Sequence, residues 1–390
     1  MAIEGISDKY SGRIRLGMVG GGQGAFIGAV HRLAARMDDH YAFVAGALSS
    51  EPKRAKASGE ELGLAAERIY ADFRDMAKAE ARRPDGIEAV AIVTPNNMHV
   101  PVCKAFLEAG IHVICDKPLA FSLKEAKQLE TLVKKKSKLV FALTHNYSGY
   151  PMIRQARDMV ASGVLGPIRY VQAEYAQGWL ATPLEKSGQK QAAWRTDPKQ
   201  TGAGGAVGDI GTHAMQLTSF VSGLMLDQLS ADLTSFVKGR KVDDNVSVLL
   251  RFKGGAKGML WASQVAVGNE NAVTLRVFGE KGGLEWAQEN PNLLWYTELA
   301  KPKQLITRGG DGANAAAARV TRVPFGHPEG YLEGFANIYT EAARAIKAAR
   351  EGRKPDKEVT FPGIADGVAG MAFIEACVKS SAKNGKWTKV

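Results

Sequence analysis

Three stretches of the chain carry residue types that can do chemistry. In WRTDPKQTGAGGAVGDIGTHAMQL, residues 194–217, Asp209 and His213 stand four apart at the start of a helical pattern, so both side chains fall on one face. A carboxylate beside an imidazole orients it and favours its protonated form, a pairing suited to general acid or base work near neutral pH. The glycines of TGAGG leave bare backbone in front of the pair, room for a substrate and the reactive end of a cofactor. The same residues also fit a capping aspartate with a satisfied histidine. In CDKPLA, residues 115–120, Lys117 follows an apolar run and Pro118 biases it toward extended backbone. An ammonium there can hold a hydroxyl or carbonyl oxygen and steady the negative charge that develops on it. A plain surface lysine at a strand end is the alternative.

The third stretch, GMVGGGQGAFIGAVH at residues 17–31, joins the apolar run Ile14, Leu16, Met18, Val19 to the helically spaced Val30, Leu33, Ala34 and Met37. Strand, glycine turn and helix is the context of a dinucleotide fingerprint, in which a pyrophosphate meets bare backbone and the positive end of a helix. Gly20 and Gly22 take the first two fingerprint positions and Ala25 the place allowed for the third. Gly28 and His31 complete the motif instead if three residues are inserted after Gly22. The insertion is the preferred reading, and it makes Gln23, Gly24, Ala25, Phe26 and Ile27 a lip over the phosphates.

Strand and helix patterns alternate around these stretches for about 145 residues. Strands are expected at 41–48, 87–94, 112–116 and 139–144, and helices at 52–62, 73–81, 101–109 and 122–136, the last opened by the capping-box spacing of Ser122 and Glu125. A doubly wound parallel sheet follows, with its ligand crevice at the strand ends: 20–28, 48–50, 94–97, 116–117 and 144–146. Past a helix at 151–162, alternating strands at 168–176, 226–237, 245–252, 256–267, 272–279 and 293–299 predict an open, largely antiparallel sheet. The helix after Thr212 covers one face, a glycine- and alanine-rich excursion fills 301–330, and terminal helices are expected at 333–350 and 363–379. The domains divide as 1–148, dinucleotide-binding, and 149–390, an α+β substrate and assembly domain.

Composition narrows the class. With 45% hydrophobic and 23% charged residues the chain is of the soluble globular type. It has no apolar run near the roughly 18 residues of a membrane span, and MAIEGISDKYSGR lacks a leader's apolar core, so the expected location is cytoplasmic. Cys103, Cys115 and Cys377 lack metal-ligand spacing and are expected as reduced thiols. The net charge of +11 is scattered except for Lys134, Lys135, Lys136 and Lys138 at a helix end, where cations suit the dipole; no nucleic-acid partner is expected.

The glycine turn, TPNNMH at 94–99, DKP at 116–118 and the D-x-x-x-H pair within GGAVGDIGTH together resemble the glucose-fructose oxidoreductase and inositol dehydrogenase (Gfo/Idh/MocA) superfamily, over nearly the whole chain. Within it the scyllo-inositol dehydrogenases, including members that oxidise L-glucose, are the most similar. The resemblance implies a Rossmann domain, a second domain on an open sheet, dimers or tetramers through that sheet, and NAD(P)-dependent oxidation of a sugar or cyclitol hydroxyl. It places catalysis on Lys117, Asp209 and His213, with His213 taking the hydroxyl proton, Asp209 holding the imidazole and Lys117 binding the reacting oxygen. Cofactor contacts are expected from the turn and lip residues Gly20, Gly22, Gln23, Gly24, Ala25, Phe26, Ile27 and Gly28. Ser49, Ser50, Arg54, Thr94, Pro95, Asn96, His99, Asp116 and Lys117 complete that set. The polyol falls to Asn146, Tyr147, Trp194, Arg195, Asp209, His213 and His327, and no metal is required.

Two departures stand out. Ser49 occupies the place of the acidic residue that grips the ribose of NAD, so NADP stays open although catabolic relatives incline the expectation to NAD. Asp116 replaces the usual glutamate beside Lys117, which bears on how that lysine is anchored. A cofactor-binding regulator without turnover and an NAD-dependent glycosidase are the competing readings.

Overall fold

The structure, a computed structural model, describes residues 12–390; the N-terminal leader reading concerns residues that fall almost entirely outside it. The first half runs β1 (Ile14–Gly20), α1 (Phe26–Met37), β2 (Tyr41–Ala47), α2 (Pro52–Glu61), α3 (Phe73–Glu80), β3 (Ala89–Val93), α4 (Asn96–Glu108), β4 (His112–Cys115), α5 (Leu123–Lys135) and β5 (Phe141–Leu143). All five strands are parallel, in the order β2-β1-β3-β4-β5. Every residue of β3 is buried, as a central parallel strand covered on both faces must be. Val90 and Ile92 pack to one side and Ala89, Ala91 and Val93 to the other.

The remainder comprises α6 (Pro151–Ala161), β6 (Ile168–Ala176), α7 (Lys190–Arg195), α8 (Pro198–Thr201), α9 (Thr212–Ser222), β7 (Leu226–Thr234), β8 (Asn245–Phe252), β9 (Lys257–Ser263), β10 (Ala272–Gly279), β11 (Gly282–Ala287), β12 (Leu293–Glu298), β13 (Gln304–Thr307), α10 (Ala315–Ala318), α11 (Tyr331–Arg350), α12 (Ile364–Ser381) and β14 (Thr388–Lys389). Nine strands form one sheet in the order β13-β12-β11-β10-β6-β9-β8-β7-β14, antiparallel except where β6 lies parallel to β9. Gly254 and Gly255, both at positive φ, turn β8 into β9. Helices cover one face. The other carries the cross-strand row Leu305, Trp295, Glu285, Arg276, Gln172, Met259 and Leu249.

Three expectations change. The helix read from Pro101 begins at Asn96, because Pro95 at its N-cap starts the turn and Pro101 is carried inside it. Leu33 and Met37 are exposed; α1 instead buries Gly28, Val30, His31, Ala34 and Ala35. The 301–330 excursion contains β13 and α10. α11, far along the chain, returns to pack on α1, and Phe335, Tyr339 and Ile346 share a core with Ile14, Leu16 and Met18 of β1. The first sheet is thus finished by the last third of the chain. No helix of the described residues is long and apolar enough to cross a membrane.

Candidate active site

The strand ends of the first sheet and the covered face of the second meet at a cavity of about 1260 Å³. At one end lies the glycine turn. Gly20 has φ +81° and a side chain there would meet the Val93 carbonyl at 2.8 Å; one at Gly22 would meet the Leu48 carbonyl at 2.6 Å and Ser58 Oγ at 2.7 Å. A Cβ at Gly28 would lie 2.4 Å from the Cα of Gly21, so this glycine, not Ala25, makes the close helix-to-turn approach. The cradle fits a dinucleotide pyrophosphate. Gln23 is pinned to α2 through Ser58 Oγ at 3.0 Å and Glu61 at 2.8 Å.

Gly28→Ala forces backbone apart at Gly21, a strain of about 1–3 kcal/mol. We expect NADH affinity, measured by fluorescence titration, to fall by about tenfold or more. Affinity within twofold of the parent protein would separate Gly28 from the cofactor cradle.

At the other end, Lys117 follows β4 and extends its Nζ to Asp209, donating to Oδ1 at 2.9 Å and to the main-chain carbonyl at 2.7 Å. The opposite oxygen, Oδ2, accepts from Arg195 Nε at 3.0 Å and Gln264 Nε2 at 2.8 Å. Burial alone would raise the Asp209 carboxyl, but the charges of Lys117 and Arg195 outweigh it and hold the group far below the carboxylate range. His213 is pushed well below the ordinary histidine value, first by burial and then by Lys117.

Asp209 does not hydrogen-bond His213. It sits in a π-helical turn, Val207–Gly211, whose wider winding swings position 209 off the face that His213 occupies in α9. The turn itself is fixed by Asp243, whose carboxylate accepts from the main-chain N–H groups of Gly205 and Val207. Asp209 therefore positions the lysine, and His213 Nδ1 faces His145 Nδ1 at 3.4 Å. Asp116 holds backbone and not the ammonium: its Oδ1 accepts from Lys117 N–H at 2.9 Å and Thr144 Oγ1 at 2.8 Å.

Most of the residues singled out in the sequence line this cavity: Gly20, Gly22, Gln23, Ala25, Phe26, Ile27, Ser49, Ser50, Arg54, Thr94, Pro95, Asn96, Asp116, Lys117, Asn146, Tyr147, Trp194, Arg195, Asp209 and His213. Four do not. Gly24 is the exposed tip of the turn, and Gly28 lies beneath it. His99 is buried, its two ring nitrogens spanning the carbonyls of Pro118 and Thr94, so it ties two loops together behind the cavity. His327 is exposed, in a loop whose main chain is held by the buried Arg308.

The sequence reading named Tyr147 but missed what the second sheet adds to its wall, Tyr175, Gln177 and Asn271. Tyr147 Oη and Tyr175 Oη are 2.7 Å apart, Tyr175 donates to Asn271 Oδ1 at 2.8 Å, Asn271 Nδ2 donates back to Tyr147 at 3.1 Å, and Gln177 joins at 2.8 Å. Single amides just outside the ends of β6 and β10 carry no motif that could have announced them. Thr94 Oγ1 and Asn146 Nδ2, both in the lining, are buried without a protein partner among the described residues. A bound polar ligand satisfies such atoms.

Burial depresses His31 and His112 to about 4 and His145 to about 3. The unfolded chain takes up these protons near pH 6.5 and the fold resists until about pH 4. Stability is lost as pH falls through that window, at about 1.4 kcal/mol per unit for each histidine. Asp243, raised to about 6 by burial, opposes them as a single group. The melting temperature should fall between pH 7 and pH 5; a flat or rising trend would contradict the histidine assignment.

Known proteins share this fold. Residues 14–144 match the oxidoreductase family with an NAD-binding Rossmann fold, and residues 153–285 match the GFO/IDH/MocA C-terminal domain. The chain is 57% identical to an oxidoreductase of Sinorhizobium meliloti, whose crystal structure superposes with a TM-score of 0.87 over 97% of this chain and 99% of that one. An inositol dehydrogenase homolog of Azotobacter vinelandii, solved with NAD+, is 38% identical with a TM-score of 0.93 over 98% and 99%. The same homolog with NADH and myo-inositol gives a TM-score of 0.90 at 38% identity over 97% and 98%. Levoglucosan dehydrogenase of Pseudarthrobacter phenanthrenivorans is 28% identical over 97% of this chain and 98% of that protein. With its NAD-binding parallel sheet, open second sheet and matches to both domains, this chain belongs to the Gfo/Idh/MocA family of oxidoreductases.

Proposed function

We propose that the protein is a dehydrogenase that oxidises a secondary hydroxyl of a neutral cyclitol or sugar, of the inositol or aldose type, with NAD as the favoured acceptor. The observation that carries the reading is the convergence of Lys117 Nζ and His213 on one cavity whose facing wall is a ring of hydroxyls and amides. A polyol ring needs many neutral donors and acceptors, and this wall offers Tyr147, Tyr175, Gln177 and Asn271. Arg195 and Lys117 share the Asp209 carboxylate and Asp116 lines the cavity beside them, so two carboxylates face the two cations and little positive charge is left for an anionic substrate. The relatives solved with myo-inositol or named for levoglucosan support the class.

In this reading bound NAD supplies the hydride acceptor, held by the glycine turn and by Thr94, Pro95 and Asn96. Lys117 uses its remaining N–H to hold the reacting oxygen, with Asp209 fixing the ammonium in place. His213, kept neutral by burial, takes the hydroxyl proton on Nε2. Arg195, stacked 4.2 Å over Trp194, orients the far side of the ring.

The test is a panel of inositols, aldoses and anhydrosugars assayed with NAD and NADP in parallel, following absorbance of the reduced cofactor. Cofactor reduction with a neutral polyol is the expected result. Cofactor binding without turnover across the panel would favour a regulator, and cleavage of an aryl glycoside without net reduction would favour a glycosidase. Ser49 and Arg54 line the cavity past β2, with Ser49 in the place of the usual ribose-gripping acidic residue, so the NADP arm decides the cofactor. We also read the open face of the second sheet, with Trp295, Leu249 and Leu305, as the contact between copies of this chain. Light scattering decides it: a monomer at micromolar concentration overturns that assembly.

A further inference from the structure

The proposed reaction leaves one buried titratable group unassigned beside its base. His145 follows β5, is 2% exposed, and has its backbone fixed through its carbonyl, which accepts from Ser148 Oγ at 2.7 Å and from Ser148 N–H at 3.2 Å. Its Nδ1 lies 3.4 Å from His213 Nδ1, with the two rings at 88°. Among the described residues neither Nε2 has a hydrogen-bond partner, and His213 lines the cavity. Charged and titratable neighbours are Lys117 and Asp116 from the β4 end, Asp209 from the π turn, and the rings of Tyr147 and Tyr175 against His213.

Two neutral imidazoles hold one proton each, and two like nitrogens can share only one between them. The bond therefore exists in two forms. If His213 donates from Nδ1, its Nε2 is a bare lone pair; if His145 donates, His213 Nε2 carries the proton and cannot act as a base. The carboxylate that would ordinarily orient such an imidazole, Asp209, is committed to Lys117, Arg195 and Gln264.

We propose that His145 is the positioning residue that sets the tautomer of His213, accepting a hydrogen bond from His213 Nδ1–H so that the Nε2 lone pair faces the substrate. The inference rests on His213 being the base. As the substrate hydroxyl's proton moves to His213 Nε2, the ring becomes a cation and its Nδ1–H bond to His145 becomes charge-assisted and stronger. His145 itself neither gains nor loses a proton. Because the acceptor is neutral, it orients the ring without raising its basicity as a carboxylate would, and His213 remains unprotonated beside Lys117.

The test uses the full chain labelled with ¹⁵N-histidine and a long-range ¹H–¹⁵N correlation, which separates protonated from bare ring nitrogens; resonances are assigned by single histidine substitutions. In the parent protein His213 is expected with Nδ1 protonated and Nε2 bare. His145→Phe, which fills the site without an acceptor, should shift His213 toward the other tautomer. It should lower kcat by about 10- to 100-fold, a share of what a general base supplies, with the polyol KM within threefold and NADH binding unchanged. His145→Asn places an amide oxygen near the position of Nδ1 and should restore much of the lost kcat and the parent tautomer. A parent spectrum with His213 Nδ1 bare overturns the proposal, as does a tautomer unmoved in His145→Phe. Should that variant not fold, the parent spectrum still decides. If the parent protein oxidises no polyol, the functional reading fails while the spectrum still reports the tautomer; turnover with an unmoved tautomer sinks only the role of His145.

Discussion

Lys117→Met should lower kcat by about a thousandfold while NADH affinity stays within a fewfold of the parent, because the change removes the donor aimed at the reacting oxygen and leaves the glycine cradle untouched. The thioether chain fills nearly the same volume, so the loss reads chemistry and not a cavity. Asp209 Oδ1 then lacks its charged partner, while Oδ2 keeps Arg195 and Gln264, and a stability cost of about 1–3 kcal/mol is expected. Lys117→Arg should recover little, since a planar guanidinium cannot meet both Asp209 oxygens and a substrate oxygen in the same geometry. If Asp209 acts through the lysine, Asp209→Asn added to Lys117→Met should cost far less than the product of the two single losses. Turnover within threefold of the parent in Lys117→Met would reduce the lysine to a structural partner of Asp209.

The fold and the site were legible to different depths. Alternating apolar strands and helices between 14 and 144 announce a parallel sheet, since the periodicity of a twice-covered strand is a property of local sequence. Nothing local announces that α11 closes that sheet from more than 300 residues away, through Phe335 and Tyr339. The short strand β11, with two glycines in GGLEWA, hides for a related reason: glycine weakens the alternation and only its neighbours on β10 and β12 define it. Lys117, Asp209 and His213 were recognisable as a set, yet a spacing of four residues suggested that the carboxylate faces the imidazole. That inference assumes α-helical winding, and the π turn at Val207–Gly211 changes the phase. His99 shows the opposite limit. Its place in TPNNMH marks it as part of the site region, while its bonds to Thr94 and Pro118 carbonyls give it a supporting position that no spacing predicts.

The same geometry makes His213→Ala informative. Removing the imidazole should lower kcat by about 10²- to 10⁴-fold, the range a positioned general base contributes, with NADH affinity retained because the ring packs against His145, Tyr147 and Tyr175 and not against the glycine turn. Burial and Lys117 keep His213 unprotonated well below the usual histidine range. The parent enzyme's kcat should therefore show no loss of base between pH 8 and pH 6 attributable to this ring, and His213→Ala should leave the slope of the acid limb unchanged while lowering the whole curve. Substrates whose hydroxyl is more acidic need the base less, so a polyol with an electron-withdrawing substituent beside the reacting carbon should lose less rate in the variant than an unsubstituted one. Added imidazole, small enough for the space vacated beside Tyr147 and Tyr175, should restore part of the turnover in proportion to its neutral fraction. A variant with parent-like kcat, or a deficit that is the same for every substrate acidity and is untouched by imidazole, would move the proton-accepting role from His213 to Lys117.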